Sequence, residues 1–123
     1  MKIIAPMGGL VLLALGCATT YPPPTQQMAD VQSANRSATE LGAQNNPKAQ
    51  LHLKLAEEQF KQAKQAMEDD DNQGAERLLV RAKADAELAV ALTRDASAQV
   101  QKGHAVDASD AARAAHTEPG VSP

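Results

Sequence analysis

Two rows of small apolar residues, each stepping by four and three, flank an acidic turn, and this arrangement leaves the chain few folds to choose from. The first row is Ala49, Leu53, Ala56, Phe60, Ala63 and Met67; the second is Ala75, Leu79, Ala82, Ala86, Ala89, Thr93 and Ala96. Steps of four and three place side chains on one stripe of an α-helix. A stripe sustained over nearly three heptads is the pattern by which two helices pack along their length. Between the rows stand Asp69, Asp70, Asp71, Asn72, Gln73 and Gly74, a run dominated by the Asp, Asn and Gly that suit a turn. The rows therefore predict an antiparallel helical hairpin, with helices over about 47–68 and 75–101. Alanine facing Leu or Phe lets the two axes approach closely. Leu51 and Leu55 widen the first stripe, and Leu78, Val90 and Leu92 flank the second. Glu57–Lys61 and Lys64–Glu68, spaced by four on the polar side, are expected to add about 0.2–0.5 kcal/mol each.

A further helix is predicted ahead of the hairpin, over about 27–44, from Met28, Val31, Ala34, Ala38 and Leu41. Gly42 and the run Asn45, Asn46, Pro47 end it, with Asn46 placed to cap the next helix and Pro47 at its first position. The fold class is thus all-α: a hairpin with an additional N-terminal helix, three-helix or coiled-coil-like in character. The helical domain is expected over 28–102. Tyr21 and Phe60 are the only aromatic residues, and much of the 43% apolar content is alanine, so the core must be thin. The outer half of the third helix needs the first helix, or another chain, to cover Val90, Leu92 and Val100. Gly103 is expected to end that helix, and 103–123 reads as a disordered tail with transient helix over 108–115.

The beginning of the chain carries a different signal. Lys2 is followed by an apolar run over residues 3–15, about 13 residues, too short for a bilayer span of roughly 20. It reads as the apolar region of a secretory signal. The run closes on Ala14, Leu15, Gly16 and Cys17, which resembles the bacterial lipobox, in a variant with Ala14 where Leu is usual. That resemblance implies a signal peptide over 1–16, with Cys17 diacylated on sulfur, made the mature N-terminus, and acylated on its amine. Ala18 stands where an inner-membrane retention Asp would be, implying the periplasmic face of the outer membrane in a Gram-negative host. Several acyl chains anchor durably, at about 0.8 kcal/mol per buried methylene. Residues 17–27, with Pro22, Pro23 and Pro24, are expected to form an extended tether.

No constellation in the chain points to chemistry. The acidic turn begins like a calcium loop, with Asp69, Asp71 and Gly74 at positions one, three and six. It then places Gln73, Glu76 and Val80 where ligands or an aliphatic residue are required. His52, His104 and His116 lie on different segments, and the single cysteine leaves a zinc site short of ligands. Glu57 and Glu58 are adjacent in sequence and so diverge on a helix. No nucleophile elbow or phosphate loop is present. Net charge is −3 with no Lys/Arg cluster, which makes nucleic acid a poor partner. The expectation is no enzyme, no metal and no cofactor other than the diacylglycerol and N-acyl chain on Cys17, and no small-molecule substrate.

Several features together resemble the DUF4398 family of small bacterial envelope lipoproteins. They are Leu55-Ala56, Phe60-Lys61-Gln62-Ala63, the acidic turn with Gly74, Ala75-Glu76-Arg77-Leu78, and the Ala82, Ala84, Asp85, Ala86, Glu87, Leu88, Ala89 stretch. The resemblance covers about 49–98 and implies a helical hairpin and an envelope location, with no assigned chemistry. Some relatives add a peptidoglycan-binding domain, which is not expected in the residues left after 103. In shape the hairpin also resembles one tetratricopeptide unit, although stable arrays of such units need about three. The expected function is a membrane-anchored, non-catalytic structural or protein-interaction module. Its partners would be the membrane through the lipid, and either an unidentified envelope protein or a second copy. A rival reading is a noncovalent peptidoglycan-associated spacer resembling the Braun-type murein lipoprotein, whose covalent attachment through a C-terminal lysine has no counterpart in Val121-Ser122-Pro123. A metal-binding or enzymatic accessory protein is the remaining alternative.

Overall fold

The computed structural model describes residues 21–117. Three helices account for nearly all of them: α1 (Thr25–Glu40), α2 (Pro47–Glu68) and α3 (Asn72–Thr117), with a short 3-10 turn over Ala43–Asn45 between the first two. The chain runs up, down and up, so α2 is antiparallel to both of the others. The all-α hairpin with an added N-terminal helix is present as the sequence stripes predict.

Each boundary has a local cause. Gly42 adopts a left-handed φ of 84°, a region that costs other residues and not glycine, and it turns the chain out of α1. Asn46 then caps α2, its side-chain oxygen accepting from the backbone N–H groups of Lys48 (3.0 Å) and Ala49 (3.2 Å), while Pro47 occupies the first turn. Asp70 takes a positive φ of 60° in the tight α2–α3 turn, and Asp71 caps α3 by accepting from the Gly74 N–H at 2.8 Å. Two of those aspartates are therefore parts of the turn itself.

The core forms two clusters stacked along the bundle. Near the α2–α3 turn, Val31, Ala63, Ala75, Leu79 and Ala82 pack together, flanked by Met28, Phe60, Ala66, Met67 and Leu78. Toward the other end, Ala38, Ala43, Ala49, Leu53 and Ala89 form the second, flanked by Val90 and Leu92. All but three of the buried apolar residues are alanine, the exceptions being Val31, Leu53 and Leu79. Each cluster draws on all three helices, so α1 closes over the hairpin instead of leaving it. It covers Val90 and Leu92, but Val100 stays 59% exposed.

The sequence reading and the structure differ at several places. The third helix does not end at Gly103: α3 continues to Thr117, so 103–117 is helix rather than disordered tail, while 118–123 lies outside the described residues. A helical glycine costs only about 1 kcal/mol relative to alanine. The residues beyond it include Ala105, Ala108, Ala111, Ala112, Ala114 and Ala115, the strongest helix formers available. The same helix starts at Asn72, three residues before Ala75, because Asp71 is its cap. Finally, α1 occupies Thr25–Glu40 rather than 27–44, since Gly42 breaks it early and Gln44 belongs to the 3-10 turn. The expected Glu57–Lys61 and Lys64–Glu68 pairs do not close among the described residues; Glu58 accepts a hydrogen bond from Gln62 instead.

Candidate functional site

The packing stripes chosen from sequence are brought together. Leu53, Ala56, Ala63, Leu79, Ala82, Ala86 and Ala89 are buried, while Phe60 and Met67 are half-buried against the first cluster. Thr93 is buried too, and its hydroxyl donates to the Ala89 carbonyl at 2.8 Å, which satisfies it within its own helix. These residues are structural: they close on one another inside a single chain. Ala14, Leu15, Gly16 and Cys17 lie outside the described residues.

Two features that the packing stripes do not account for lie at the two ends of the bundle. At the end near the α2–α3 turn, the segment entering α1 is held against the start of α3. Asn72 Nδ2 donates to the Tyr21 carbonyl at 2.9 Å, and the Tyr21 hydroxyl donates to the Glu76 carboxylate. Gln27 Nε2 reaches the other oxygen of that carboxylate at 3.3 Å, and Pro24 is buried. The hydrogen bond to Glu76, with smaller contributions from desolvation and from the carboxylate's charge, holds the Tyr21 phenol above its ordinary pKa. The last residues of the supposed tether are thus docked on the domain.

At the opposite end α1 and α2 meet and stop, and α3 goes on alone. Beyond Ala96 every residue to His116 is exposed. Residues 97–117 project about 30 Å past the bundle at 1.5 Å per residue. Where the projection leaves the bundle, Leu41, Gly42, Asn46, Thr93, Ala96 and Val100 border a shallow recess of about 240 Å³. Leu41 at its rim is 43% exposed and Val106, further along, 50%. The recess is smaller than the roughly 300–1,000 Å³ of small-molecule sites.

Polar contacts between helices lock the register. Asp85 on α3 takes both His52 Nδ1, at 2.8 Å, and Gln59 Nε2, at 2.7 Å, from α2. Asp30 on α1 receives Gln26 at 2.9 Å and Lys83 Nζ at 3.3 Å, and these two donors hold its carboxyl below the ordinary range. Among the described residues no group of three His, Cys, Asp or Glu side chains is placed to hold a metal ion. None of the described helices is long and apolar enough to cross a membrane. The Tyr21 and Asp85 contacts link residues 26–55 apart in sequence, and no periodic signal in the chain announces them.

The DUF4398 family model, a domain of unknown function, matches residues 26–105. The chain belongs to the DUF4398 family. The match takes in all of α1 except its first residue, which extends the 49–98 read from sequence by one helix and agrees with the place of Val31 and Ala38 in both core clusters. It also enters the projecting part of α3, ending twelve residues before Thr117. No curated protein and no solved structure matches the chain.

Proposed function

We propose that this DUF4398 protein is a lipid-anchored envelope module that works by holding out a helical docking element, without catalysis. Cys17, after the apolar run and Ala14-Leu15-Gly16, would carry the acyl chains, and the reading places the protein on the periplasmic face of an outer membrane. The observation that carries the interaction role is the projection of α3. The packing stripes are satisfied within the chain, so the exposed residues 97–116 answer to no need of the bundle. A helix of that length, with Val100 and Val106 exposed on different sides of it, is an element that a partner can pack beside.

Two measurements test the two halves of this reading. Cys17→Ala is expected to leave the precursor uncleaved and free of incorporated fatty acid; normal processing and membrane retention would overturn the anchor. A photo-crosslinker placed at Val106 in cells is expected to capture an envelope protein or a second copy, while one at Lys61, on the outer face of α2, captures neither. Equal yields at both positions would remove the special role of the projection. Sedimentation of residues 18–123 separates the two classes of partner, since self-association would appear as a concentration-dependent dimer.

A further inference from the structure

The way the chain enters the domain fixes which end of the molecule faces its anchor. Tyr21 is held by Asn72 and Glu76, both on the first turns of α3, and Pro24, three residues on, is buried. Cys17 lies four residues before Tyr21, so its α-carbon is within about 14 Å of Tyr21 even in a fully extended chain. The 46 residues of α3 rise about 69 Å from that point.

We infer that the α2–α3 turn is the membrane-proximal end of the protein and the projecting part of α3 its membrane-distal end, with the bundle standing off the lipid surface. The inference rests on the lipidation of Cys17 proposed above. The charge of the projection favours a standing over a side-on posture. Between 97 and 117 Lys102 and Arg113 are balanced by Asp107 and Asp110, and Arg113 is paired with Asp110 at 3.2 Å, so the projection has no net positive charge with which to lie on an anionic headgroup layer. The partner of the projection is then a structure situated tens of ångströms from the membrane, not a protein lying flat against it or the lipid itself.

Acylation of Cys17 consumes the only native thiol, so a single introduced cysteine can carry a donor dye on the lipidated full chain. Gln73→Cys and Ala115→Cys sit on exposed positions at the two ends of α3. Reconstituted in vesicles with acceptor-labelled headgroups, the dye at 73 is expected to be strongly quenched and the dye at 115 severalfold less. Releasing the clamp with Tyr21→Phe and Asn72→Ala together is expected to narrow that difference, while circular dichroism reports that the helices persist. Equal quenching at both positions, stronger quenching at 115, or a difference untouched by the double variant would each overturn the inference while leaving the anchor intact. A purified chain that fails to associate with vesicles, or lacks fatty acid by mass spectrometry, would overturn the anchor and the inference together.

Discussion

At the scale of single residues, Tyr21 has the most informative position. It is the chain's only tyrosine, and there is no tryptophan, so its ionisation can be followed by ultraviolet absorbance without interference. Its folded pKa is raised above the ordinary 10.0 because Glu76 favours the protonated phenol. A raised folded value means the contact stabilises the fold fully below the unfolded pKa and loses that contribution as pH rises through the folded one. The expected result is a tyrosinate titration above that of a denatured control, moving back toward it in Glu76→Gln. Asp30 behaves with the opposite sign. Its carboxyl is held low by Gln26 and Lys83, so its contribution is present above the ordinary 3.8 and disappears as pH falls through the lower folded value. Lys83→Met should therefore flatten the acid limb of the stability curve, measured by urea melts between pH 2 and pH 5, the range about the usual carboxylate pKa. Neither contact could be read from the sequence. Tyr21 and Glu76 are 55 positions apart, and a polar pair at that distance leaves no trace in periodicity or composition.

At the scale of the helices, the parts legible in the sequence were those written in repeated spacing. The stripes of α2 and α3 recur over many turns, and their alanines and leucines are the buried ones, save Ala96 at the end of the second, which is half-buried. The exposed Leu51 and Leu55, which widen the first stripe on paper, show that hydrophobicity without the right phase does not place a side chain inside. The docking of α1 was less legible because Val31 and Ala38 are its only fully buried residues, too few to fix a partner. The length of α3 is not legible because a glycine after a helical run reads as a stop, although nothing lies within 4 Å of where a Cβ on Gly103 would be and its φ is not positive. Gly103→Ala should consequently stabilise the projection by about 0.5–1 kcal/mol. Slower amide exchange over 97–117, with an unchanged melting temperature for the bundle, is the expected readout. The first turn of α3 gives a sharper test. A Cβ on Gly74 would stand 1.9 Å from Asp71 Oδ2, so Gly74→Ala must displace the capping carboxylate. In Asp71→Ala, where the cap is already lost at about 1 kcal/mol, the same glycine change should stabilise the helix. Non-additivity of the two in a double-mutant cycle measures the clash.

At the scale of the whole molecule, stability is divided unevenly along its length. The two core clusters lie between the α2–α3 turn and Thr93, so truncation after Gln101 should leave the melting temperature nearly unchanged, whereas Leu79→Ala should cost about 2–5 kcal/mol. Hydrogen exchange should show the same gradient, slow at Ala82 and Ala89 and fast beyond Val100. A core made largely of alanine has an unusual mutational geometry. Most substitutions can only add volume where the helices are closest, so Ala82→Leu should wedge α1 or α2 away from α3 at a cost of about 1–3 kcal/mol, seen as a lowered urea midpoint.

One continuous helix joins the gripped end of the molecule to its free length, and that continuity has a mechanical meaning. The bundle is a fulcrum: α3 is held over its first half and unsupported over its second. A rocking of about 10° at the Tyr21 contact would swing the far end of a 46-residue helix through about 12 Å, at 1.5 Å of rise per residue. The protein is built like a mast on a short stay, where a small change of footing is read at the top as a change of reach.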